Sequence, residues 1–218
     1  MKFFQEQCTI KSDINCETTM KKMALFLALC GHYAGYAAGV YQAGQEKSTV
    51  CAACHGATGV STNPIWPHLA GQSVSYLTKQ LNDFKHNKGR ADPTMTPMVV
   101  NLSEQDIADL AVFYAKQPRP EGSTPKKYLK RGEQLYRGGD FTKHITACIA
   151  CHGPKGTGNA QAGFPVLSGQ QTAYTVLQLQ AFKDKKRSND LNSIMRDISA
   201  RMSTDDMVAV ANYVAGLY

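Results

Sequence analysis

The sequence predicts an all-α protein built from two tandem copies of one helical domain, and three observations carry that expectation. A pentapeptide, Cys51-Ala52-Ala53-Cys54-His55, returns as Cys148-Ile149-Ala150-Cys151-His152, and the likeness extends far beyond it. Apolar residues recur at three- and four-residue steps, the period of an amphipathic helix. No stretch alternates apolar and polar residues between hairpin turns, as a half-buried strand would. The chain has 218 residues, 43% apolar and 19% charged, which suits one large or two small globular domains. No apolar run reaches the roughly 18 residues expected of a membrane span.

Residues 1–37 read as a leader. Met20-Lys21-Lys22 supplies a positive segment, Met23 to Cys30 a short apolar one, and Gly35-Tyr36-Ala37 a small-x-small cleavage site. Export is therefore expected, with a mature protein beginning near Ala38. Residues 1–19 are polar and out of place before such a signal, so the expected start is Met20. Cys8, Cys16 and Cys30 fall in this leader, and Leu29 is too large to favour lipidation of Cys30. A first domain over 38–117 follows, then a semi-extended linker over 118–125 containing Pro118, Pro120, Gly122 and Pro125, then a second domain over 126–218.

Each domain reads as the same series of helices. Residues 43–52 and 130–137 form short helices that run toward the pentapeptide. Pro67-His68-Leu69-Ala70-Gly71-Gln72 recurs as Pro165-Val166-Leu167-Ser168-Gly169-Gln170. Val74, Leu77, Leu81 and Phe84 then mark an amphipathic helix, repeated by Tyr174, Leu177, Ala181 and Phe182. Tyr76, Gln80 and Phe84 recur as Tyr174, Gln178 and Phe182. The last helix of each domain opens on Ser103 or Ser203, with Asp106 or Asp206 three residues on, approximating a capping box. Its apolar face is Ile107, Leu110, Ala111 and Tyr114, or Met207, Val210, Ala211 and Val214. The offset between copies drifts from 97 to 100, which loop insertions account for.

Cys-x-x-Cys-His is the attachment signature of c-type haem: two thiols bond to the porphyrin and the adjacent imidazole becomes an axial ligand of iron. Two residues between the cysteines put both sulfurs on one side of a turn, and the next residue can then set its ring under the iron. Cys51 and Cys54 are thus candidates to hold one haem, Cys148 and Cys151 another, with His55 and His152 as axial ligands. A zinc site shared by the four cysteines would leave both histidines idle and need a very long loop between its halves. A thioredoxin-like redox pair expects a strand-to-helix setting and a single copy. All four cysteines of the mature chain are used by haem, so no disulfide is expected.

The second axial ligand decides whether such a protein carries electrons or binds small molecules at iron. Met95 and Met98 lie in a loop bounded by Pro93 and Pro97; Met195 and Met202 lie in the equivalent region. Met95 and Met195 each stand eight residues before the capping serine, whereas Met98 aligns with Ile198 and Met202 with Leu102. Met95 and Met195 are therefore the candidate ligands, and Met98 and Met202 read as packing residues. Thioether sulfur suits ferrous iron and raises the potential, so two six-coordinate, low-spin haems of fairly high potential are expected. Pro67 and Pro165 are candidates to offer a carbonyl to the second nitrogen of each ligating imidazole. His68, His86 and His144 have no counterparts and read as surface residues.

These motifs occur in an order that resembles the dihaem cytochromes c of the cytochrome c4 family. Pro-x-Leu-x-Gly-Gln in both halves, Tyr136 to Gly139, Ala162-Gly163-Phe164-Pro165 and the Leu-Ser or Met-Ser helix start all contribute. The resemblance covers residues 38–218. It implies two tandem class I cytochrome c domains related by pseudo-twofold symmetry, with His55 paired to Met95 and His152 to Met195. It also implies periplasmic electron transfer from the quinol-oxidising bc1 complex toward a cbb3-type oxidase. The 19-residue extension before Met20 departs from the family and bears on the start of the chain rather than on membership.

Charge divides the two domains. Residues 38–117 hold 6 basic and 6 acidic residues, and residues 126–218 hold 13 and 7. Lys183, Lys185, Lys186 and Arg187 read as a basic patch that could steer an acidic redox partner. The expected protein is a monomeric electron shuttle, not an enzyme, meeting protein partners and compatible with peripheral membrane association. Nucleic acid is not an expected partner of an exported haem protein. The alternatives are a dihaem enzyme, such as a peroxidase or a thiosulfate dehydrogenase, and an electron-donating subunit of a larger reductase. Methionines in both halves argue against a peroxidase, and the lack of a spare cysteine against a thiosulfate dehydrogenase; the same lobes would serve the subunit equally well.

Overall fold

Ten α-helices and no extended strands make up residues 38–217, which the computed structural model describes. The leader, its cleavage site and Cys8, Cys16 and Cys30 lie outside the described residues. In the first lobe α1 spans Tyr41–Lys47, α2 Thr49–His55, α3 Val74–Lys85, α4 Met95–Val99 and α5 Glu104–Ala115. In the second, α6 spans Lys126–Glu133, α7 Ile149–His152, α8 Thr172–Lys183, α9 Ile194–Ala200 and α10 Thr204–Ala215.

Both lobes are assembled by the same packing. The last helix of each, α5 or α10, lies against the first helix, α1 or α6, and against the long middle helix, α3 or α8. Ser103 and Ser203 close full capping boxes with Asp106 and Asp206, so each last helix starts where the sequence places it. The helices cross closely at Gly44 and Gly132, where a Cβ would run into the backbone carbonyl of Asp109 or Ala209. Leu77, Leu110, Ala111, Phe113 and Tyr114 form the first core; Leu135, Tyr136, Leu179, Met207, Val210 and Val214 are at the centre of the second.

Ionic ties fasten the first and last helices. In the first lobe buried Asp109 accepts the Val40 N–H at 2.7 Å and Lys47 Nζ at 2.8 Å. In the second, Asp206 accepts Arg131 Nε at 2.9 Å and Lys143 Nζ at 2.7 Å, while Arg131 also reaches Asp140 at 2.7 Å.

Some expectations shift. The loop expected around Met95 is a short helix; Pro97 fits there because a first-turn N–H has no intrahelical acceptor to lose. In α8 the buried apolar residues are Leu179 and Phe182, while Leu177 is 49% exposed. The segment 134–138 is a π-helical turn, and the residue it adds buries Leu135 and Tyr136 together. Residues 118–125 are irregular, as a proline-rich linker should be, but they are packed: Arg119 Nη1 donates to Ser168 Oγ at 2.6 Å.

Candidate functional site

Each Cys-x-x-Cys-His motif ends a helix at a glycine with positive φ, Gly56 at 78° and Gly153 at 77°. The turn lets the chain double back beneath the imidazole. Gly59 and Gly156, at 79° and 65°, hold that return: Gly59 O accepts from Leu69 N at 2.7 Å and Gly156 O from Leu167 N at 2.8 Å. The proline carbonyl just before each donor then meets the histidine. His55 Nδ1 donates to Pro67 O at 3.0 Å and His152 Nδ1 to Pro165 O at 2.9 Å. A carbonyl can only accept, so this bond fixes the Nδ1–H tautomer and leaves Nε2 with its lone pair free to bind a metal. Both imidazoles are buried, and burial pushes their pKa down, favouring the neutral form that ligation requires.

The cysteines are not arranged for other chemistry. Burial pushes the Cys51 thiol up and that of Cys148 up to about 11, the reverse of a reactive redox thiolate. Among the described residues no three His, Cys, Asp or Glu side chains come together as a metal cluster.

Met95 and Met195 are both half-buried near the start of a short helix. An aspartate ties down each start. Asp92 Oδ1 accepts from the Met95 N–H at 2.9 Å, and Asp190 Oδ2 from the Arg196 N–H at 3.0 Å. Met195 packs on the same core as Cys148, Ile149 and Leu167. Met202 is buried as expected, but Met98 is 48% exposed, and neighbouring Val99 takes the interior place.

The two lobes meet through paired, reciprocal contacts. The Gln72 side chain binds both backbone groups of Val166, at 2.9 and 3.0 Å, and Gln170 binds both backbone groups of His68 at the same two distances. Such exchange of equivalent contacts is the signature of twofold symmetry. Beside them Arg90 and Arg187 pair as an isolated antiparallel bridge. Each guanidinium lies 4.4 Å from the ring centroid of its own lobe's phenylalanine, Phe84 or Phe182. Each also crosses to the other lobe. Arg90 Nη2 donates to Tyr174 Oη at 2.8 Å, and Arg187 Nη2 to Tyr76 Oη at 2.8 Å.

Both arginines are 7% exposed, and neither forms a salt bridge among the described residues. Their partners are neutral oxygens of Gln80, Gln178, Asn189 and the tyrosines. Burial opposes ionisation of Tyr76, yet the two guanidinium charges outweigh it and pull its pKa down. Two buried cations without a carboxylate call for an anion. A haem brings two carboxylates. Together with the thiols and the free imidazole nitrogens, this donor set fits a pair of haems.

Two readings of single residues change. Arg187 does not belong to an exposed patch with Lys183, Lys185 and Lys186; it is part of the interface. His68 is half-buried rather than on the surface: its Nδ1 accepts the Ser61 N–H at 3.0 Å, and burial lowers its pKa. Arg90 was not singled out from sequence, although it recurs as Arg187 at the same 97-residue offset as the haem motif.

The cytochrome c family model matches the chain twice, over residues 41–116 and 129–217. A cytochrome c4 from Pseudomonas aeruginosa is 43% identical over 202 residues, covering 91% of this chain and 100% of that protein. The crystal structure of reduced recombinant cytochrome c4 from Pseudomonas stutzeri superposes with a TM-score of 0.81 at 43% identity, covering 83% of this chain and 100% of that one. A thiosulfate dehydrogenase electron acceptor from Stutzerimonas stutzeri is 36% identical over 171 residues, covering 77% of this chain and 78% of that protein.

Proposed function

The chain belongs to the cytochrome c family and, within it, to the cytochrome c4 proteins, which are dihaem electron carriers and not enzymes; from that premise we propose how its residues hold and pass electrons. Two covalently attached haem c groups supply one-electron chemistry at iron. In this reading Cys51 and Cys54 anchor one by thioether bonds, and Cys148 and Cys151 the other. His55 and His152 present Nε2 as one axial ligand, oriented by the carbonyls of Pro67 and Pro165. Met95 and Met195 would each supply a thioether sulfur as the second protein ligand. Arg90 and Arg187 neutralise haem carboxylates at the boundary between the lobes. With His and Met both bound, the irons would leave no place for peroxide or oxygen, and the protein would exchange only electrons.

The observation that supports this most is the matched pair of imidazole-to-proline hydrogen bonds, 3.0 and 2.9 Å long, which prepares the same nitrogen in both lobes. The domains are 38–117 and 126–218, joined by 118–125, with a leader that directs export. We place the mature protein in the periplasm, as a monomer able to rest on the membrane surface, between the bc1 complex and a cbb3-type oxidase. A second donor is favoured by the 36% identity to a thiosulfate dehydrogenase electron acceptor: a thiosulfate-oxidising enzyme could reduce the same lobes.

The test is stopped-flow reduction of the oxidised holoprotein by purified bc1 complex and by thiosulfate dehydrogenase, and its oxidation by the oxidase, over a series of salt concentrations. Fast exchange with bc1 complex and oxidase supports the proposed route, while exchange with the dehydrogenase alone replaces it. The lobe over 126–218 carries 13 basic against 7 acidic residues, so the partner that uses it should show the steeper salt dependence. We propose that donor and acceptor dock on different lobes, and equal slopes for the two would contradict it.

A further inference from the structure

Each interface arginine is held by residues of both lobes. Arg90 lies five residues before Met95, stacks on Phe84 and binds Gln80, all in the first lobe. The hydroxyl that fixes its Nη2, however, is that of Tyr174 in α8. Arg187 mirrors it, stacking on Phe182, binding Gln178 at 2.8 Å, and reaching Tyr76 in α3. Gly89 O accepts the Ser188 N–H at 2.7 Å, so the two arginine-bearing segments are also joined through the backbone. A guanidinium has five N–H donors in a rigid plane. The ring stack and the own-lobe glutamine hold the plane, and the hydroxyl at Nη2 is the contact from the other lobe that completes its orientation; Arg187 also donates from Nε to Asn189 at 3.0 Å and from Nη2 to Gln80 of the first lobe at 3.1 Å.

We propose that Tyr76 and Tyr174 are crossed positioning residues, each orienting the arginine that serves the haem of the opposite lobe. The inference rests on the reading that Arg90 and Arg187 face haem carboxylates. A well-aimed cation stabilises the reduced, less positive haem poorly screened by water and so raises its potential; a loosened one raises it less. Removing the Tyr174 hydroxyl thus lowers the potential of the first haem, and removing the Tyr76 hydroxyl lowers that of the second. Each lobe carries part of the other's redox tuning.

The experiment uses full-length holoprotein carrying Tyr174→Phe or Tyr76→Phe, which keep the ring and delete only the hydroxyl. Potentiometric titration gives both midpoints, and NMR of the Met95 and Met195 methyl groups in the oxidised state assigns each to its lobe. The expected result is crossed: Y174F weakens reduction of the Met95 haem by about threefold to tenfold, the weight of one hydrogen bond, and leaves the other nearly unchanged, with Y76F the converse. Shifts confined to the mutated lobe, equal shifts in both, or none would overturn the proposal. Arg90→Gln and Arg187→Gln separate it from its premise. If these move neither potential, the arginines do not serve the haems; if they do and the tyrosine variants do not, only the crossed positioning fails. Should a tyrosine variant not fold, Arg90→Lys and Arg187→Lys, which keep the charge but lose the fork, must each lower their own lobe's potential, or the proposal falls.

Discussion

The two lobes carry the same site on differently built supports. The first cysteine of the motif follows the helix-crossing glycine by seven positions in the first lobe, Gly44 to Cys51, and by sixteen in the second, Gly132 to Cys148. The added length makes the π-helical turn, buries Tyr136 with its hydroxyl donating to Gly153 O at 2.6 Å, and forms the loop from Asp140 to Ile145. In the first lobe α2 follows α1 after a single residue and delivers the motif directly. Despite this, the imidazole-to-proline bonds differ by 0.1 Å. Geometry at the imidazole is fixed by the turn through Gly56 to Pro67, or Gly153 to Pro165, and the chain that leads into it can vary.

The strongest way to break the equivalence is at the axial methionines. Met95→His or Met195→His should lower the potential of one haem only, by a fraction of the roughly 0.8 V range that axial ligation commands. Potentiometry checks this, and an unchanged pair of midpoints would remove the assignment. Next come the crossing glycines. Gly44→Ala puts a Cβ into the Asp109 carbonyl and Gly132→Ala one into that of Ala209, so each should destabilise its lobe by about 1–3 kcal/mol in denaturant unfolding.

The ionic ties sharpen the comparison with pH. Hydrogen bonds from Thr142 and the Arg131 charge hold Asp140 at about 2; in Asp206, Lys143, Arg131 and Ser203 outweigh burial and hold the carboxyl lower still. In the first lobe Ser103, then Lys47, holds Asp106 at about 2. These depressed values mean stability present above the ordinary carboxylate range, near 4, and lost as pH falls toward 2. Asp206→Asn, which takes the carboxylate from Lys143 and leaves Arg131 with Asp140 alone, should cost about 1–3 kcal/mol at neutral pH and flatten the acid limb of the unfolding curve. A retained acid limb would show that other groups carry it.

The smallest expected effect is at His68, whose counterpart is Val166. Its pKa is held below 6.5 by burial, and its neutral Nδ1 accepts from Ser61. Stability is therefore lost as pH falls from about 6.5 through the lowered value, and His68→Val should abolish that slope. Thermal unfolding between pH 7 and 5 would detect it, and an identical slope in the variant would count against the role.

Much of this was legible because the chain states its design twice. Recurrence singled out Met95 and Met195 as the candidate ligands, and the capping serines marked where the last helices begin. Leu177 misled because the 3.6-residue period shows which residues share a face but not which partner covers it; Leu179 is the buried one. Arg187 and His68 misled for a related reason. A charged or titratable residue reads as surface unless its partners are known: Arg187 is met by Tyr76 of the other lobe, about a hundred positions away, and the His68 imidazole by the Ser61 N–H, while Gln170 of the other lobe takes the His68 backbone.

The central claim is that both irons are closed by His and Met, and a potentiometric titration of the holoprotein followed optically, with and without cyanide or peroxide, tests it most directly. Two high-potential, low-spin steps that ignore the added ligand are the predicted result. A high-spin fraction, or ligand binding at one haem, would contradict it and show that Met95 or Met195 does not coordinate iron.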